Sequence, residues 1–60
     1  MKKGDKVDYV LLAKEKFVFF YSYKNNEIWK RGNYRIVINI ESQTIIGIFE
    51  IVPGGSKEVI

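Results

Sequence analysis

Ten cationic and seven carboxylate side chains are spread along a 60-residue chain that contains no His and no Cys. Their absence excludes Cys/His zinc sites, Ser-His-Asp and Cys-His nucleophilic systems, disulfides, and haem or iron–sulfur ligation through those side chains. A hydrolytic or two-metal site needs carboxylates converging in a cleft, and Asp5, Asp8, Glu15, Glu27, Glu41, Glu50 and Glu58 show no such pairing. Asp5 and Asp8 are three apart and face opposite sides of an extended strand, while Glu15 and Glu41 fall at turns. Pro53-Gly54-Gly55-Ser56-Lys57 lacks the G-x-x-x-x-G-K-S/T spacing that cradles phosphates and reads as a turn before a short tail. The residues therefore point to no enzyme activity, cofactor, metal or small-molecule substrate.

What remains is recognition. Tyr21 and Tyr23 alternate along one run, and closing the turns that follow brings Lys24, Lys30 and Arg35 beside them. Aromatic rings on a sheet offer stacking surfaces to bases, and Lys and Arg at their edge neutralise phosphates. The net charge of +3 favours polyanionic partners. These five residues predict a nucleic-acid-binding face with little sequence specificity, the choice between DNA and RNA being open. A solvated strand face with Arg35 satisfied by Glu50 would carry the same residue types. A rival reading rests on Ile28, Val37, Ile46 and Ile48, which would form an exposed aliphatic patch suited to a homodimer or to a protein partner docked on an inhibitor or adaptor.

The elements that must position these side chains read as strands. Nine Ile and six Val stand against two Leu and one Ala, an all-β composition. Punctuation at Lys14-Glu15-Lys16, Asn25-Asn26, Gly32-Asn33, Ser42-Gln43 and Pro53-Gly54-Gly55 leaves five runs, at 6–13, 17–24, 27–31, 34–41 and 44–52. The spacing is too tight for crossover helices, so an antiparallel meander is expected within a single domain spanning 1–60, with an N-terminal segment 1–5 and a tail 53–60. Folding about Ser42-Gln43 pairs Ile38 with Gly47, Ile36 with Phe49 and Arg35 with Glu50; folding about Gly32-Asn33 pairs Trp29 with Ile36 and Lys30 with Arg35. Folding about Asn25-Asn26 places Tyr23 opposite Ile28 and Tyr21 opposite Lys30.

One face then holds Val18, Phe20, Trp29, Ile36, Ile38, Ile40, Ile45, Phe49 and Ile51, joined by Val7, Tyr9 and Leu11, and is the expected core. The other holds Phe19, Tyr21, Tyr23, Ile28, Lys30, Arg35, Val37, Ile46 and Ile48, with Lys6, Val10 and Leu12. A one-residue slip at either turn flanking Trp29 would carry it from the core to the binding face.

Five strands cannot cover their own core face, so the sheet is expected to curl into a small SH3-like or OB-like barrel, or to pack on a second copy. Gly47 suits the bend that closure needs, or else leaves room for Ile38. Gly4-Asp5-Lys6-Val7 resembles the Gly-Asp-x-Val opening of strand one in many SH3-like and KOW-type barrels, and implies no binding residues. Val10 to Ala13 and Phe17 to Tyr21 are too short to span a membrane, and the polar residues after Met1-Lys2-Lys3 interrupt any export signal. A cytoplasmic location is the expectation.

Overall fold

The computed structural model describes residues 1–59. The sequence also allows the apolar tail residues Val59 and Ile60 to cover the aliphatic patch, as an alternative to a dimer or a docked partner; Ile60 lies outside the described residues. A short helix α1 (Tyr9–Lys14) precedes five strands, β1 (Val18–Tyr23), β2 (Asn26–Arg31), β3 (Tyr34–Asn39), β4 (Thr44–Val52) and β5 (Gly55–Glu58). The strands form one antiparallel sheet in the order β1-β2-β3-β4-β5. A five-stranded meander is thus present, but its first expected strand is missing and the tail supplies β5. The sheet does not close on itself, so the expected barrel is not formed.

The first expected strand is a helix for a local reason. Both Leu residues and the only Ala of the chain fall together at Leu11-Leu12-Ala13, so good helix formers that are scarce overall are concentrated in one turn. Asp8 caps that turn, its carboxylate accepting from the Leu11 N–H at 3.0 Å. At the other end the Lys16 N–H donates to the Ala13 carbonyl and the Phe17 N–H to the Leu12 carbonyl, with Lys16 at φ 69°. This is the Schellman arrangement, and its usual apolar contact is supplied by Phe17 and Leu12. Six residues would not hold a helix in water, so its stability comes from burial of Leu12, which is fully inaccessible.

The helix carries the chain across one face of the sheet. Residues 4–7 lie alongside the start of β4: the Gly4 N–H donates to the Ile45 carbonyl, the Ile45 N–H to the Asp5 carbonyl and the Val7 N–H to the Gln43 carbonyl, with Lys6 bridging Thr44. From there α1 crosses to β1 at the far edge. Beneath it, Leu12, Phe17, Ile36, Ile38 and Ile45 form the buried core, with Val7, Trp29 and Ile48 packed against them. Leu12 was assigned to the outer face on the strand reading; helical geometry turns it inward, while Val10 is left 66% exposed. Trp29 does occupy the core side, between the Tyr9 ring at 5.6 Å and the Phe19 ring at 5.8 Å.

Two bulges decide which residues face the core. Between β3 and β4 the register shifts after Val37↔Gly47, so that Ile38 pairs with Ile45 and Ile36 with Ile48. The extra residue is Ile46. It reverses the alternation along β4, turning Ile48 inward and Gly47, Phe49 and Ile51 outward. The expected pairs Ile36–Phe49, Ile38–Gly47 and Arg35–Glu50 are therefore replaced by pairs one residue earlier on β4 or, for Ile38, two earlier. In β1 the extra residue is Phe20, between Phe19↔Trp29 and Tyr21↔Ile28, and the tight turn is Lys24-Asn25 rather than Asn25-Asn26. Val18, Phe20, Ile40 and Ile51, expected in the core, are each 40% or more exposed.

Two outcomes follow from the helix ends. Lys16 holds a left-handed conformation that costs an L-residue more than glycine, so Lys16→Gly is expected to raise stability by about 0.5–1 kcal/mol in chemical denaturation. The Tyr9 hydroxyl donates to Glu27 at 2.9 Å, and Trp29 Nε1 donates to the same oxygen at 3.3 Å. Desolvation, then the hydrogen bond and charge of Glu27, hold the Tyr9 phenol above its ordinary value of 10.0. A raised folded-state value means that this contact contributes fully below pH 10.0 and is lost as pH rises through the folded value. Alkaline titration should show a late tyrosinate step that disappears, with its share of the alkaline loss of stability, in Tyr9→Phe.

Candidate nucleic-acid interface

With α1 on one face, the other face of the sheet has no covering layer among the described residues. Its centre is built by a cross-strand pair and a bulge. Lys30 of β2 stands directly opposite Arg35 of β3, as the turn at Gly32-Asn33 predicts. Like charges across a ladder repel. The Phe20 bulge places an aromatic ring next to both, with Lys30 Nζ 4.3 Å and the Arg35 guanidinium 5.3 Å from its centroid. The ring's negative face offsets part of the repulsion. Arg35 is held further by the turn: its Nη1 donates to the Gly32 carbonyl at 2.8 Å and to the Tyr34 carbonyl at 2.9 Å. Both of these bonds use Nη1 alone among the guanidinium nitrogens.

Tyr21 follows Phe20 on the same face because of the bulge. The two rings meet edge to face at 5.0 Å, and Tyr21 remains 48% exposed. Tyr23 is 62% exposed at the strand end, and Lys24 in the turn beside it lies 5.4 Å from its ring centroid. All five residues proposed from sequence therefore lie along β1, β2, β3 and the β1–β2 turn, and Tyr21, Lys30 and Arg35 are brought together around Phe20. Arg35 does not pair with Glu50, which is 3.7 Å from Lys57 instead. Among the described residues neither Lys30 nor Arg35 has a carboxylate partner.

A shallow groove of about 400 Å³ runs across this face, bounded by Phe20, Tyr21, Ile28, Arg35, Val37 and Phe49. No carboxylate side chain lines it. Phe49 reaches it because Gly47 has no side chain: a Cβ there would stand 2.5 Å from the Phe49 ring, which folds over the glycine. Gly47 thus serves neither a barrel bend nor the packing of Ile38. Within this groove Phe20, Phe49 and Ile51 are the residues that sequence reasoning placed on the core side. An aromatic two residues from a strand glycine shares its face and can cover it, which joins Phe49 to Gly47 but does not say which side the two occupy.

The aliphatic patch comes apart in the structure. Ile28 and Val37 are paired on the outer face, but Ile48 packs against the core and Ile46 is the bulged residue. A larger hollow of about 820 Å³ lies on the helix side, near Phe17, Ile36 and Ile48. Two ion pairs stand at its rim, Arg31 with Glu15 at 3.5 Å and Lys3 with Glu58 at 3.2 Å. Of the other carboxylates, Asp5 accepts from the Lys2 N–H and Asp8 caps the helix. No helix is long and apolar enough to cross a membrane among the described residues. Comparison with protein-family models, with curated proteins and with solved structures finds no match.

Proposed function

We propose that the protein binds nucleic acid on the uncovered face of its sheet, through phosphates and stacked bases and with little sequence specificity. The observation that carries this reading is the Lys30–Arg35 pair, two cations held side by side over Phe20 with no carboxylate in the adjoining groove. A phosphate between them would supply the full negative charge that the ring supplies only in part. Tyr21 and Tyr23 offer exposed rings beside that position, each able to stack a base, and stacking favours unpaired strands because duplex bases present no free face. Lys24 extends the cationic track to the strand end.

The second reading, a homodimer or an adaptor acting through Ile28, Val37, Ile46 and Ile48, is supported less well, because Ile48 belongs to the core. Salt separates the two. Counterion release from three cationic contacts gives a log–log slope of about −2 for single strands, whereas an aliphatic interface persists or strengthens as salt rises. Titration of single-stranded and duplex DNA and RNA at two salt concentrations, with solution mass recorded, is expected to show salt-sensitive binding that prefers single strands. Lys30→Glu with Arg35→Glu should abolish it. Tyr21→Ala should weaken it by ~1–3 kcal/mol while leaving the salt slope unchanged. Unchanged affinity in the double variant would remove this face from consideration.

A further inference from the structure

The sheet has two sides along which backbone groups could remain unpaired, and the chain treats them differently. Beyond β4, residues 4–7 pair with the first part of the strand, β5 pairs with Phe49 to Val52, and the Val59 N–H donates to the Ile48 carbonyl between them. β5 itself is only four residues, Gly55–Glu58, and carries Lys57 and Glu58. Short length and charge are the usual protections of an edge. On the opposite side β1 is the terminal strand, with β2 its only neighbour. Its six residues, Val18-Phe19-Phe20-Tyr21-Ser22-Tyr23, include no charge and no Pro, and all six are exposed.

We infer that the β1 edge receives an extended, acidic polypeptide segment, which adds as a sixth strand. An incoming strand satisfies N–H and C=O groups in alternation, and a peptide carries both donors and acceptors along its backbone. The phosphates of a nucleic acid carry only acceptors, and RNA adds no more than one 2′-hydroxyl donor per nucleotide. The acidity follows from the two ends of the strand, where Lys16 and Lys24 stand in left-handed conformations, exposed and, among the described residues, without a carboxylate partner. These charges also argue against a second copy. Antiparallel self-pairing centred on Phe20 would set Lys16 of each chain against Lys24 of the other, a like-charge contact at both ends. The Phe20 bulge divides the edge, so contacts are concentrated at Val18-Phe19 and Tyr21 to Tyr23. This edge shares Tyr21, Tyr23 and Lys24 with the nucleic-acid face but neither Lys30 nor Arg35, and the inference rests on the unpaired side of β1 and its two end lysines rather than on that reading.

The test uses the full chain and two synthetic probes, a Thr-Val-Thr-Val peptide flanked by paired Glu residues and the same peptide flanked by paired Lys. The acidic probe should bind at least tenfold more tightly and slow amide exchange within Val18–Tyr23. Lys16→Gly with Lys24→Gly should reduce that preference about tenfold, on the order expected for two exposed ion pairs. Glycine suits both left-handed positions, so loss of binding would not reflect loss of the fold. A methylated backbone nitrogen at alternate probe positions should abolish binding, because only strand addition needs those donors. Equal affinity for the two probes, protection outside β1, or no binding of either would overturn the inference. So would an edge protected only by an oligonucleotide.

Discussion

Burial of Leu12 and Phe17 against Ile36, Ile38 and Ile45 is the contact on which the rest of the molecule depends. It docks a six-residue helix that has no independent stability, and the Schellman hydrogen bonds at Lys16 and Phe17 place both anchors in one turn of chain. A chain of this size buries only about 60% of the surface its unfolded form exposes. The helix covers one face of the sheet. Among the described residues the opposite face carries no such layer, and aromatic and cationic residues occupy it.

The open face is shaped by irregularities rather than by regular pleating. Each bulge adds one residue to an apolar strand and changes which side chains look outward. Phe20 is brought beside Lys30 and Arg35, while Phe49 folds over Gly47. The same shift at Ile46 draws Ile48 into the core. A regular sheet would have presented a continuous aliphatic patch and left the two cations facing each other without a ring between them. The bulges therefore set aromatic and cationic side chains, rather than a continuous aliphatic patch, on the open face.

Much of this was legible from residue order. The Trp29–Ile36 and Lys30–Arg35 pairs follow from a turn at Gly32-Asn33, which the structure keeps with Gly32 at φ 55° and without the one-residue slip that would have moved Trp29. The meander and the core roles of Ile36, Ile38 and Ile45 follow from strand spacing and alternation. The helix was hidden because whole-chain composition averages away three adjacent helix formers, although Asp8 before Leu11-Leu12-Ala13 is a local cap signal. The bulges were hidden for a different reason. Phe17 to Tyr21 and Ile45 to Phe49 are apolar on both sides, so a bulge within either run is not marked by the sequence pattern, and packing beneath α1 selects the parity.

The central claim is that the helix side of the sheet is the core and the bulged side binds nucleic acid. The most direct measurement is the pattern of amide and methyl chemical-shift changes when an unlabelled single-stranded oligonucleotide is added to the isotope-labelled protein. The account predicts changes centred on Tyr21, Ile28, Lys30, Arg35 and Val37, with Leu12, Ile38 and Ile45 unmoved. Changes centred on the helix side, or none at saturating oligonucleotide and low salt, would contradict it.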